Sequence, residues 1–256
     1  MKDIINSHIY VPKSILNRFA VRNEKNYRII YYIDLENKQI KSASTKSFNT
    51  QLGYYYSYNE QILKNEAEDK IGEVIRKIED SIENININEA DITLMKKFLA
   101  YQLIRTDYLA KKLKEIENLD DTIEKIKNDN IFIESKLEIF LKAFEKCDVE
   151  ILINTSCSEF VLTSNATYVI YENNDSNNDY MMVQVLSPKI AILFYKENTL
   201  KKLNINKKFQ VIYESNSSRI KNLNLMALAT SIKGNAKFIV GKEKDIKNIY
   251  RFVNNE

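Results

Sequence analysis

Five kinds of side chain in this chain could do acid–base or phosphate chemistry, and the first three also have quieter structural explanations. His8 is its only histidine. An imidazole titrates near neutrality, so it can serve as general base, nucleophile or metal ligand; it can equally cap or order an N-terminal segment through hydrogen bonds. Arg105 falls, by helical spacing, in line with Phe98 and near Tyr101, Gln102, Tyr108 and Leu109, inside an apolar stripe. A guanidinium keeps its proton and is costly to bury alone. Its partner is either a carboxylate of the fold or the phosphate or carboxylate of a ligand, which the guanidinium fork fits. Glu66 and Glu73 are seven residues apart, two helical turns on one line. Paired carboxylates hold Mg²⁺ or Mn²⁺ or divide acid and base roles. They can also be solvated beside Glu68, Asp69, Glu79 and Asp80, or pair with Arg105. Finally, Tyr101 and other tyrosines could stack on bases, and Lys201-Lys202 with Lys207-Lys208 supply a basic stretch.

Composition removes several other chemistries. Only four glycines are present, so no phosphate-cradling loop or dinucleotide fingerprint can be assembled. One histidine with Cys147 and Cys157 makes neither a standard zinc site nor a disulfide framework. No Gly-x-Ser-x-Gly elbow supports a serine hydrolase. A net charge of +3 neither demands nor forbids nucleic acid. No apolar run approaches the roughly 18 residues of a membrane helix, and the start lacks a signal-peptide core. The expectation is a cytoplasmic protein without a membrane partner, its oligomeric state and any protein partner left open.

The elements that must position these groups fall into three regions. Residues 1–58 read as β-rich: β-branched and aromatic residues predict a strand over 27–34, a turn at 35–38 and a strand over 39–43. Residues 59–147 read as helical. Asn59 is a candidate cap, and Leu63, Ala67, Ile71, Val74, Ile75, Ile78 and Ile82 recur at helical spacing over 60–83. Asn88, followed by Glu89 and Asp91, predicts the start of a second helix, to about 117. A third is predicted over 121–146. Residues 148–256 return to β, with strands over 150–154, 159–163, 168–172, 181–186, 190–195 and 209–213. A polar loop at 173–179, a helix over 217–233, a strand over 237–240 and a terminal helix complete the chain. The order argues for one α+β domain over 1–256: N-terminal strands, a central bundle of long helices, then a mostly antiparallel sheet with a late helix.

Four segments in this order also carry a resemblance. They are Ser7-His8-Ile9-Tyr10-Val11-Pro12, Phe98-Leu99-Ala100-Tyr101-Gln102-Leu103-Ile104-Arg105-Thr106, Phe160-Val161-Leu162-Thr163-Ser164-Asn165 and Leu186-Ser187-Pro188-Lys189. Together they resemble the bacterial domain-of-unknown-function family 4238, whose members open with a His-Tyr-Val-Pro signature. Here Ile9 stands between His8 and Tyr10. The resemblance implies a site at His8, Arg105 and the acidic helix, with Ser164, Asn165, Tyr101 and Lys189 as substrate-binding candidates. Where the family reads Ser-Asp-x-Pro, this chain has Ser164, Asn165, Ala166 and Thr167. Asparagine can cap a turn but is a poor base. A catalytic role for that acid in the family would therefore leave this member weakened. Ser187-Pro188 reads as turn chemistry, and Asn224 as a residue that locks packing.

Two functional expectations follow. The first is a nucleic-acid-acting enzyme, a nuclease of bacterial toxin or phage-defence type acting on RNA or DNA, with or without Mg²⁺ or Mn²⁺. The alternative is a non-enzymatic sensor or interaction module that holds a nucleotide or other ligand.

Overall fold

The computed structural model describes residues 6–52, 64–106, 129–171, 180–202, 205 and 207–253. Its largest sheet follows from uninterrupted apolar runs. Strand β6 (Asp148–Asn154) is buried at every position, as a central strand covered on both faces should be. It lies between β10 (Ile190–Tyr195), antiparallel, and β11 (Phe209–Glu214), parallel. The order is β11-β6-β10-β9-β8, with β9 spanning Tyr180–Ser187 and β8 Thr167–Tyr171. Pro188-Lys189 joins β9 to β10 as predicted. The Ser187 hydroxyl accepts from the Lys189 N–H, and the Pro188 carbonyl accepts from the Phe160 N–H.

The second sheet joins both ends of the chain. Strand β3 (Arg28–Asp34) pairs antiparallel with β4 (Gln39–Ser44) along one edge. Its other edge is shared by β2 (Val21–Arg22) and β12 (Phe238–Gly241), and β12 in turn pairs with β7 (Leu162–Thr163). The predicted turn between β3 and β4 forms because Asp34 accepts hydrogen bonds from the backbone and side chain of Asn37. A small pair, β1 (Asn6–His8) with β5 (Thr50–Leu52), closes the N-terminal region.

Seven residues of the N-terminal region form helix α1 (Lys13–Phe19), which the β-rich reading did not anticipate. Pro12 pre-sets the entry, and Ile15, Leu16 and Phe19 share one buried face. The first long helix begins as a π-helical turn (Lys64–Glu68) that runs into α2 (Asp69–Asp80), where Ile71, Val74, Ile75 and Ile78 are buried. Asn59 lies outside the described residues. Helix α3 (Glu89–Ile104) starts where predicted: Asn88 and Asp91 cap each other's backbone N–H groups. It stops earlier than predicted, at Ile104, because Thr106 turns back and donates from both its N–H and its hydroxyl to the Leu103 carbonyl. The third helix, α4 (Asn130–Glu145), begins at an Asp129 cap rather than near 121. Residues 107–128 and the predicted polar loop lie outside the described residues.

Helix α5 (Thr199–Lys202) precedes β11, α6 (Ser217–Lys233) has the predicted bounds, and α7 (Glu243–Val253) ends the fold. The strand expected over 159–163 shortens to two residues. Its backbone bonds go elsewhere: Asn224 on α6 accepts from the Val161 N–H and donates to the Glu159 carbonyl. The core runs through both sheets and the helices, with Phe19, Phe98, Phe160 and Phe194 fully enclosed.

Close packing at the β12–α7 corner makes a first prediction. A Cβ built on Gly241 would lie 3.0 Å from a Val161 methyl and 3.3 Å from Ile246. Both neighbours are buried branched side chains with little room to yield. Gly241→Ala is expected to destabilise the fold by about 1–3 kcal/mol, read from urea unfolding. A midpoint equal to the parent's would show the corner is looser than this.

Candidate functional site

The opening motif is pinned by the turn between β4 and β5. Asn49, with its amide oriented to suit its neighbours, accepts from the N–H groups of Tyr10 at 3.0 Å and Val11 at 3.1 Å. Ile9 donates to the Asn49 carbonyl, and Asn49 holds a positive φ of 57°. His8, paired with Thr50 across the β1–β5 ladder, turns its ring toward the same turn. Its Nε2 is 3.1 Å from the carbonyl of buried Thr45. A carbonyl can only accept, so Nε2 carries the hydrogen and Nδ1 is the atom that gains or loses a proton. Thr45 is itself fixed, its hydroxyl donating to Asn17 at 2.8 Å.

Burial holds the His8 pKa below its ordinary value. The Thr45 carbonyl and the charge of Glu68 oppose the shift, while Lys13 and Arg105 reinforce it. His8, Glu68 and Arg105, far apart in sequence, therefore act on one another in the fold. Arg105 is the C-cap residue of α3, and its Nη2 lies 2.5 Å from the carboxylate of Glu68. Its side chain is 1% exposed and that of Glu68 16%. Arg105 thus sits behind Glu68, and the solvent-reachable groups are Glu68 and the half-buried imidazole.

The other candidates are dispersed. Glu66 falls in the π-helical turn, and Glu73 is exposed on α2. Tyr101 is 5% exposed, a packing position rather than a stacking platform. The Ser164 hydroxyl accepts from the Lys237 N–H at 2.8 Å, tying the end of β7 to the start of β12. Asn165 opens the tight turn into β8 and lines a cavity of about 330 Å³ beside it. Lys189 donates to the Ser156 carbonyl at 3.0 Å and lies 3.8 Å from Glu159, which Lys242 also approaches. Among the described residues no group of three or more His, Cys, Asp or Glu side chains is placed to hold a metal ion. No helix among them is long and apolar enough to cross a membrane.

Glu68 is the site residue that the sequence reading left among solvated charges. A signal was present: it stands three residues before Ile71, on the line of the buried stripe.

The family model described as protein of unknown function (DUF4238) matches residues 7–245. The chain belongs to the DUF4238 family. The match takes in the opening motif, the α3 segment and the Ser187-Pro188 turn. No curated protein and no solved structure matches the chain. In this DUF4238 member the groups that act on one another electrostatically are His8, Glu68 and Arg105.

The His8 shift also has a consequence for stability. The folded-state pKa lies below the unfolded value of about 6.5, so the unfolded chain binds more protons between the two. His8 should favour the fold fully above about pH 6.5, and that contribution should be lost as pH falls through its lowered folded pKa. Urea unfolding of the parent and His8→Gln at pH 7.5 and 5.5 checks this. The stability gap between them should move against the parent at the lower pH; a constant gap would contradict the assignment.

Proposed function

We propose that this DUF4238 protein is a nucleic-acid-acting hydrolase that uses His8 as a general base. The observation that carries the reading is that the half-buried His8 lies within electrostatic reach of the Arg105–Glu68 ion pair. A neutral imidazole at physiological pH can take a proton on Nδ1 from water or a ribose hydroxyl as the oxygen attacks phosphorus. Glu68 would stabilise the imidazolium that forms, as a carboxylate does beside a catalytic histidine. Arg105 is in this reading a positioning residue: its buried guanidinium, 2.5 Å from the Glu68 carboxylate, holds that carboxylate in place. Exposed Lys13, which already acts on the His8 charge, supplies positive potential for a phosphate beside the imidazole. The exposed pairs Lys201-Lys202 and Lys207-Lys208 add to the basic surface that a polyanion would meet. Cytoplasmic toxin or phage-defence effectors are the biological setting that suits such an activity.

The test is cleavage of tRNA, single-stranded RNA, and single- and double-stranded DNA, each with Mg²⁺, Mn²⁺ or EDTA. The acid–base reading expects cleavage that survives EDTA and falls at least about 100-fold in His8→Ala. Substrates left intact by the parent protein, or cleaved equally by His8→Ala, would overturn it. Dependence on Mg²⁺ or Mn²⁺ would move the chemistry to a metal-assisted route.

A further inference from the structure

The larger sheet ends at β11, whose strand partner among the described residues is β6 alone. The N–H groups of Val149 and Thr155 donate to the carbonyls of Lys208 and Glu214. Alternate residues of a strand turn their backbone groups to opposite sides, so Lys208, Gln210, Ile212 and Glu214 face β6. Phe209, Val211 and Tyr213 therefore present their N–H and C=O groups at the free edge. Those outward groups bond no other backbone group among the described residues.

Edge strands ordinarily carry a lysine, a proline or a bulge that discourages further pairing. Strand β4, at the edge of the other sheet, has Lys41 near its middle. Strand β11 has no such guard. Phe209 to Tyr213 contains neither a charge nor a proline, and its register with β6 runs unbroken. Its side chains are half-buried except that of Tyr213, which is 47% exposed. An extended, apolar edge of this kind is a template for one more strand.

The edge is complementary to itself. Antiparallel pairing sets outward-facing residues directly opposite one another. A twofold axis through Val211 does this along the whole strand: Val211 meets its own copy, and Phe209 meets Tyr213 of the second copy. Each of these pairs exchanges both backbone bonds, and the aromatic pair forms twice. On the other face the same axis sets Gln210 opposite Ile212 and Lys208 opposite Glu214. Charge favours that register. Glu214 and Glu150 share the guanidinium of Arg219, and exposed Lys208 of the second copy brings a further cation to them. An axis through Gln210 or Ile212 would shorten the ladder and separate Lys208 from Glu214.

We propose that two copies of this chain pair through β11, antiparallel about Val211, joining their five-stranded sheets into one continuous sheet. The interface does not depend on the chemistry at His8.

Sedimentation equilibrium of the full chain, from low micromolar to near-millimolar concentration, tests it. The mass should rise to twice the 30.0 kDa of one chain. Val211→Pro removes the central outward N–H without removing a bond to β6, and Tyr213→Lys sets a charge against Phe209 of the second copy. Each should raise the dissociation constant at least about tenfold. Lys208→Glu should raise it less, by about fivefold, and that loss should shrink at high salt. Tyr213→Lys, diluted to a monomer, should keep the urea midpoint of the equally diluted parent, which separates lost pairing from lost folding. A parent that stays at 30.0 kDa throughout would overturn the proposal. So would a dimer as tight in Val211→Pro and Tyr213→Lys as in the parent, which would place the interface elsewhere.

Discussion

Replacing Arg105 with methionine is expected to destabilise the protein by roughly 3–5 kcal/mol, the cost of removing one partner from a buried ion pair. Methionine keeps most of the volume, so the loss is electrostatic rather than a cavity. Glu68 is left facing a site built for a guanidinium; being 16% exposed it can recruit some water, which places the effect toward the lower end. Glu68→Gln should cost less, because a neutral amide can still accept from the Arg105 fork. A double-mutant cycle between the two positions, measured by urea unfolding, should return a coupling of about 1–3 kcal/mol. Additive single effects would mean that the pair is incidental. The same variant probes the site. Arg105 helps to lower the His8 pKa, so its removal should shift the acidic limb of a pH–rate profile upward. A merely structural arginine would lower the rate without moving that limb.

Asn224→Ala is expected to cost roughly 2–6 kcal/mol, one to three for each buried backbone group it orphans. The Asn224 carboxamide is the partner of the Val161 N–H at 3.0 Å and of the Glu159 carbonyl at 2.8 Å. It does for residues 159–161 what a neighbouring strand would otherwise do, and water has little access to replace it, since Phe160 and Val161 are almost wholly enclosed. Amide hydrogen exchange should quicken first at Val161 and its neighbours, with α6 itself still protected. A loss under about 1 kcal/mol would show that the segment can re-pair with another strand.

Much of this fold could be read from the chain because its signals are local. The bounds of α6 and β10 follow from apolar periodicity closed by caps and turns. The Asn88–Asp91 capping box declares the start of α3 within four residues. Sequence and structure differ where a distant partner decides. Helix α1 leaves no signal in the sequence because seven residues are too few to show a period, and its burial comes from packing against other elements. The strand expected over 159–163 has the right side chains, but Asn224 on a helix sixty-odd residues later takes its backbone bonds.

The site divides in the same way. Residue type alone marked His8 and Arg105: a single imidazole, and a charge on an apolar stripe that had to find a partner. The sequence by itself determined that Arg105 would be buried and matched, since a guanidinium can neither lose its proton nor stay alone in a low dielectric. It could not name the carboxylate, because six acidic side chains lie between Glu66 and Asp80 and their spacings along the chain differ little. Only tertiary structure chose Glu68, by bringing the end of α3 against the π-helical turn before α2. Only tertiary structure set the His8 proton on Nε2, through the carbonyl of Thr45. Burial, partner choice and tautomer depend on distances between segments far apart in the chain, and one-dimensional spacing carries no such distances.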